Sequence, residues 1–251
     1  MAQEVTYHGV KVTITKDYLE LSSFAVQIIL KRIEATPKFN LLLPTGTTPL
    51  GVYRLLRETD LSFFKHVTFF NMDEYCIRFG DQIKMISERH PASYRLYMKQ
   101  NLFDVIRPSA SYFPGIENIS QSGHYDEFIK GMGGIDLCLN AVGEDGHTFG
   151  FNFPGTPRDA KTRLVQITGQ TRSTNKRLTG FETPDYAITI GLTTGIAAKE
   201  ILFLVSGERK AEMLRKVIYA PEIRQDFPAT LLRDHPLCHW IVDEKAAHRL
   251  S

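Results

Sequence analysis

The chain predicts an α/β fold: one mainly parallel central sheet with helices on both faces. Three observations carry this. Short apolar runs suited to buried strands alternate with segments of helical periodicity, the pattern of a parallel sheet covered on both sides. Several of those runs end in small-residue turns that open a helix. The chain has 251 residues, 43% hydrophobic and 23% charged, a globular composition long enough to bury a sizeable core. No Pro/Ser linker, low-complexity tract or internal repeat interrupts it, so residues 1–251 are expected to form a single domain.

The elements follow in order. Residues 10–15 alternate in strand fashion. Asp17 caps the next segment, where Leu19, Phe24, Ile28, Ile29 and Ile33 recur at helical spacing to about residue 34. Residues 39–43 form a short apolar strand. A turn over 44–49 leads into a helix at 50–56, with Pro49 in the first turn, where proline is tolerated. The strand 66–70 ends at Asn71-Met72-Asp73-Glu74-Tyr75. Residues 78–88 are mixed and expected to be irregular. Residues 91–101 read as a helix carrying Tyr94, Leu96, Tyr97 and Met98. Residues 125–130 are helical and 131–134 turn. Strands are expected at 135–139, 164–167, 187–190, 201–205 and 238–242, with helices at 194–199 and 208–219.

Composition excludes several classes. The net charge of +2 is too balanced to argue for nucleic acid or an anionic membrane as partner. No apolar stretch approaches the roughly 18 residues of a membrane span. The start, MAQEVTYHGV, lacks the pattern of a secretion signal, so a cytoplasmic protein is expected. Cys76, Cys138 and Cys238 are far apart and no C-x-x-C occurs, which is neither a zinc site nor a disulfide framework. No G-x-S-x-G, H-E-x-x-H, Walker loop or dinucleotide fingerprint is present.

Four turns carry candidate chemistry. In LNAVGEDGHTFGFNFPGTP a strand stops at Gly143 and presents Asp145 and His147 at its carboxyl end, where open α/β sheets bind ligands. Histidine titrates closest to neutrality and is the usual proton shuttle, and Asp145 can orient it. The same residues alone would also make an ordinary capped loop. In LPTGTTP, helix-start amides, a glycine permitting close approach and the hydroxyls of Thr45, Thr47 and Thr48 suit an anion. In NMDEY two adjacent carboxylates follow a strand. Adjacent extended residues point oppositely, so one of Asp73 and Glu74 faces the cleft while the other caps or pairs. In SGERK, Lys210, with Arg177 upstream, offers cations for the charged end of a substrate. Together these suggest acid–base chemistry on a small phosphorylated substrate.

LPTGTTP, FNMDEY, HPASY, GEDGH, PDYAITIG and SGERKA occur in an order and spacing that resembles the glucosamine-6-phosphate deaminase (isomerase) family, over residues 38–244. The 6-phosphogluconolactonases share its fold. The resemblance implies a Rossmann-like sheet, no metal or organic cofactor, and a phosphorylated amino sugar as substrate. It assigns His147, oriented by Asp145, to ring opening and Asp73 to proton transfer between C2 and C1. It assigns the phosphate to Thr45, Gly46, Thr47 and Thr48 with Arg177 and Lys210, beneath a lid around 161–179. One position departs: Phe153 stands where the family has a glutamate that supports ring opening, and HT…FPGTP resembles the lactonase version. The resemblance therefore implies weaker deamination, or a different epimer such as galactosamine 6-phosphate. The alternatives are hydrolysis of a sugar-lactone phosphate and a non-catalytic sugar-phosphate sensor. Oligomeric state is left open.

Overall fold

A computed structural model describes residues 2–224 and 227–250. Among the described residues, twelve strands run in chain order: β1 (Gln3–Tyr7), β2 (Val10–Thr15), β3 (Phe39–Leu43), β4 (Val67–Asn71), β5 (Asp73–Phe79), β6 (Gln82–Met85), β7 (Ala110–Tyr112), β8 (Leu137–Ala141), β9 (Arg163–Gln166), β10 (Tyr186–Thr189), β11 (Glu200–Val205) and β12 (Cys238–Asp243). The α-helices are α1 (Tyr18–Glu34), α2 (Leu50–Arg57), α3 (Tyr94–Met98), α4 (Asp104–Ile106), α5 (Glu117–Ser120), α6 (His124–Gly131), α7 (Gly169–Thr179), α8 (Leu192–Ile196), α9 (Ala211–Ile218) and α10 (Glu244–Ala247).

Eight strands form the central sheet in the order β1-β2-β12-β11-β8-β3-β4-β7. Every pairing in it is parallel except β1 with β2. This is the expected α/β sheet. Side-chain alternation sorts its core into two layers. Leu41, Leu43, Leu202 and Leu204 pack on one face with α1 and α2. Leu42, Ile201, Phe203 and Val205 pack on the other with Leu214 and Val217 of α9. Both faces being covered, β3 and β11 are buried along their whole length and show no polar alternation.

The order also fixes where a ligand can enter. After β3 the sheet continues to β4 on one side, and after β8 it continues to β11 on the other. The crevice beyond the carboxyl ends of β3 and β8 is thus the topological switch point.

A second, antiparallel sheet, β6-β5-β10-β9, was not expected. The chain passes between the sheets at Met72: its N–H donates to the Leu43 carbonyl at 3.2 Å, and its own carbonyl accepts from Ile190 N–H at 2.7 Å. Asp73 therefore opens a strand instead of lying in a turn. Residues 78–88, expected to be irregular, include the β5–β6 hairpin. The helix expected over 91–101 begins at Tyr94 and continues as a π-helical turn over Lys99–Phe103. Tyr75, Ile86, Phe151, Ile167 and Ala187 form a small third core here, with Tyr94 and Phe153 packed against it.

Among the described residues no helix is long and apolar enough to cross a membrane, and no group of His, Cys, Asp and Glu has the makings of a metal site.

Candidate active site

One cavity of about 630 Å³ opens at the switch point. Residues 44–48, Asp73, residues 140–145, His147, one face of α7 and residues 206–210 line it.

The anion loop comes first in the chain. Gly46 has φ +106°, in the left-handed region, and nothing lies within 4 Å of where a Cβ would sit. Glycine there permits the turn and leaves room above it. Tyrosines hold the loop from beneath. Tyr97 Oη donates to the Gly46 carbonyl at 2.6 Å. Tyr18 Oη lies 2.9 Å from the Thr47 carbonyl and 3.0 Å from that of Thr48, and Tyr53 Oη donates to the Pro44 carbonyl. A trans peptide points its C=O and N–H in opposite directions, and no peptide in the described chain is cis. With these carbonyls drawn into the protein, the following amides of Thr45, Thr47 and Thr48 are turned the other way, the arrangement that binds an anion.

Lys210 reaches the same loop, with Nζ 2.7 Å from Thr48 Oγ1. Burial pushes its ammonium down to about pKa 8, against the opposing charges of Glu144 and Asp243. Asp243 also sets the approach: its carboxylate accepts from Ser206 Oγ at 2.5 Å and from Gly207 N–H at 3.0 Å.

The turn after β8 holds the imidazole. His147 Nδ1 lies 2.5 Å from Asp145 Oδ1, so the tautomer this contact favours carries its proton on Nδ1 and leaves Nε2 for a ligand. A Cβ on Gly143 would come within 2.2 Å of His147 Cε1, so the ring lies flat against a residue that has to be glycine. The other oxygen of Asp145 accepts from Thr171 Oγ1 at 2.5 Å. Burial alone would raise the Asp145 carboxyl, but the hydrogen bond and charge of His147, with the Thr171 hydroxyl, hold it well below the usual carboxylate range. Phe151 and Phe153 flank the imidazole, their ring centroids 5.8 and 5.6 Å from its own.

Asp73 and Glu74 divide their roles as strand geometry requires. Glu74 is buried and accepts from Ser93 Oγ at 2.8 Å and from the amides of Tyr94 and Arg95 at 2.9 Å each, which caps α3. Asp73 is 4% exposed and lines the cavity, and its buried Oδ1 has no hydrogen-bond partner in the protein. Burial, reinforced by the charge of Glu74, pushes its carboxyl well above the ordinary value. A carboxyl raised in this way is a stronger base than an exposed one and suits proton abstraction.

The structure brings Thr45, Gly46, Thr47, Thr48, Asp73, Asp145, His147 and Lys210 to this one cavity. Arg177 is not among its lining residues: it sits on a flank of α7, with Nη2 3.4 Å from Glu144 Oε1. The segment expected to cover the site contains α7, whose cavity face is Gln170, Thr171, Thr174, Asn175 and Leu178. Sequence reasoning gave no role to Tyr94, Asn140, Asn175 or Lys245, which also line the cavity. Asn175 Nδ2 donates to Tyr75 Oη at 2.8 Å, and Tyr75 Oη lies 2.9 Å from Tyr94 Oη. HPASY contains Tyr94, NMDEY ends in Tyr75, and the stretch that opens at Leu139 contains Asn140, but none of these residues was given a role.

Residues 18–240 match the family model described as glucosamine-6-phosphate isomerases/6-phosphogluconolactonase. The chain is 38% identical over 245 residues to a glucosamine-6-phosphate deaminase of Shouchella clausii, covering 92% of this chain and 94% of that one. It is also 38% identical over 248 residues to one of Thermoanaerobacter pseudethanolicus, covering 94% of each. A solved monomeric glucosamine-6-phosphate deaminase superposes with TM-score 0.85 at 33% identity, over 96% of this chain and all of that one. The 6-phosphogluconolactonase of Leishmania guyanensis shares the fold, with TM-score 0.72 at 20% identity, over 94% of this chain and 96% of that one.

Proposed function

The chain belongs to the glucosamine-6-phosphate isomerase/6-phosphogluconolactonase family, and from that premise we propose that it acts as a glucosamine-6-phosphate deaminase. The reaction joins an amino-aldose phosphate and water to give a ketose phosphate and ammonia. His147 moves a proton between the ring oxygen and O1 to open the sugar, with Asp145 holding the imidazole. Asp73 removes the C2 proton and returns it to C1 through an enolamine. Water then adds at C2 and the carbon–nitrogen bond breaks, releasing ammonia. The amides of the 44–49 loop and Lys210 hold the phosphate. Positioned acid–base groups of this kind each contribute roughly 10²–10⁴-fold.

The observation that carries this reading is Asp73. Its carboxyl is buried at the wall of the cavity that also holds the dyad and the anion loop, and one of its oxygens has no protein partner. A buried polar atom left unpaired is costly, and the amine or a hydroxyl of the substrate supplies the donor it lacks. A phosphorylated sugar is too polar to cross a bilayer unaided, and we place the reaction in the cytoplasm.

Phe153 favours a second reading. It stands at the position where the family resemblance puts a glutamate and packs its ring against the imidazole, so ring opening loses a polar partner and is expected to be slower. The same apolar flank suits His147 to activating water against a sugar-lactone phosphate. The two are separated by offering the purified protein glucosamine 6-phosphate and 6-phosphogluconolactone. Ammonia release from the first is the expected result, and acid release from the second without ammonia would overturn the deaminase assignment.

A further inference from the structure

We propose that Glu144 is an internal counter-ion that competes with the substrate's phosphate for Arg177, and thereby sets how tightly the site grips an anion. This rests on the reading that the 44–49 loop and Lys210 form the phosphate subsite.

Glu144 lies in the turn between β8 and the dyad, and its side chain, about a third exposed, lines the cavity. No step of the reaction uses it. Its carboxylate faces the two cations expected to hold phosphate. Arg177 Nη2 is 3.4 Å away, and the Glu144 charge helps Lys210 keep its proton against burial.

The Arg177 contact is loose. Charge-assisted N–H···O bonds are typically about 2.7–2.9 Å, and a guanidinium prefers to engage both of its N–H groups with an oxyanion. A phosphate monoester carries close to two negative charges at neutral pH and offers three oxygens in a geometry a guanidinium matches. It outcompetes one carboxylate oxygen at 3.4 Å.

The helix itself need not move for the exchange. α7 is anchored at its start, where Thr168 and Thr171 donate to Asp145, and in its middle, where Asn175 donates to Tyr75. Arg177 lies two residues further on, about half a turn, off the cavity face, and is substantially exposed. A side-chain rotation brings the guanidinium over the cavity mouth. Glu144 then remains close to the bound anion with its partner taken away, and like charges in proximity weaken binding. The carboxylate therefore lowers affinity for any phosphate while helping Lys210 keep its proton beforehand. It raises the threshold against inorganic phosphate, which has no sugar to make the remaining contacts.

The test is calorimetric titration of inorganic phosphate into the wild-type protein, Glu144→Gln, Arg177→Gln and the double variant. The change at 144 is isosteric and lies in a partly exposed turn. Removing a like charge beside the anion should tighten phosphate binding by about tenfold in Glu144→Gln. Arg177→Gln should weaken it, and the gain from Glu144→Gln should shrink in the Arg177→Gln background because the two residues act on each other. Unchanged or weaker binding in Glu144→Gln would overturn the proposal, as would an equal gain in both backgrounds. If the wild type and all three variants bind no phosphate at any soluble concentration, the phosphate subsite fails and this proposal with it. Binding by the wild type without a gain in Glu144→Gln overturns this proposal alone.

Discussion

Asp145 and Thr171, 26 residues apart, meet at 2.5 Å, so the carboxylate that orients the imidazole also ties down the helix along the cavity wall. Asp145→Asn should cost about 10²-fold or more in kcat, as removal of the group that orients a catalytic imidazole does elsewhere. Thr171→Val keeps the dyad and removes the tie. It should raise KM more than it lowers kcat and speed proteolytic cleavage within residues 169–179. Both are read from steady-state kinetics and limited proteolysis.

Asp73→Asn should abolish turnover and raise the melting temperature at pH 7. The sign follows from burial, which raises the carboxyl of Asp73 in the folded protein. A group raised on folding adds stability below its unfolded pKa, about 4, and loses it as pH rises through the folded value. At pH 7, above the unfolded value, the buried carboxyl therefore opposes folding, and the amide removes that opposition. The acid limb of kcat/KM in the wild type should fall at a pH above about 4 for the same reason.

Lys210, with its ammonium pushed down to about pKa 8, should make substrate capture pH-sensitive on the alkaline side. The value of kcat/KM should decline as pH rises through about 8. In Lys210→Gln that limb should disappear, with KM raised roughly tenfold or more for loss of a charge-assisted contact.

Gly150→Ala should damage both stability and activity. Gly150 has φ +73°, and an added Cβ would lie 2.4 Å from Thr189 Oγ1 and 2.8 Å from Asp73 Oδ2. Backbone strain of this kind costs on the order of 1–3 kcal/mol, and the clash falls on the proposed base. Thermal denaturation and kcat check it.

Tyr97→Phe removes the hydroxyl that holds the Gly46 carbonyl at 2.6 Å. A neutral hydrogen bond contributes about 0.5–1.5 kcal/mol, so KM for the phosphorylated substrate should rise by roughly 2–10-fold. Because the ring itself stays in place, kcat should be nearly unchanged.

The strands of the central sheet were legible because burial on both faces makes them continuous apolar runs, as at residues 39–43 and 201–205. The second sheet was not. Strand β6 is half exposed and reads Gln-Ile-Lys-Met, a pattern that periodicity cannot separate from loop. Strand β5 begins with two acids, which read as a turn until their pairing with Ile188 and Thr189 is seen. The division of labour between Asp73 and Glu74 followed from strand alternation, but which faced the cavity depended on where α3 starts. The tyrosines under the anion loop were invisible because Tyr18 and Tyr97 reach it from 29 and 51 residues away. Arg177 was named as a cation, but neither its helix nor which face of that helix meets the cavity could be read, since that face depends on how α7 docks.

Of the described residues of α7, Thr171 is the only buried one. That segment nevertheless furnishes a full side of the reaction chamber. Drift in its composition disturbs almost no interior packing, whereas a change in the tyrosine-braced loop reaches straight into the core layer under α1 and α2. New sugar preferences in this lineage should therefore arise by retooling residues 170–178, and grafting that stretch from a related enzyme is the economical route to changing what the chamber accepts.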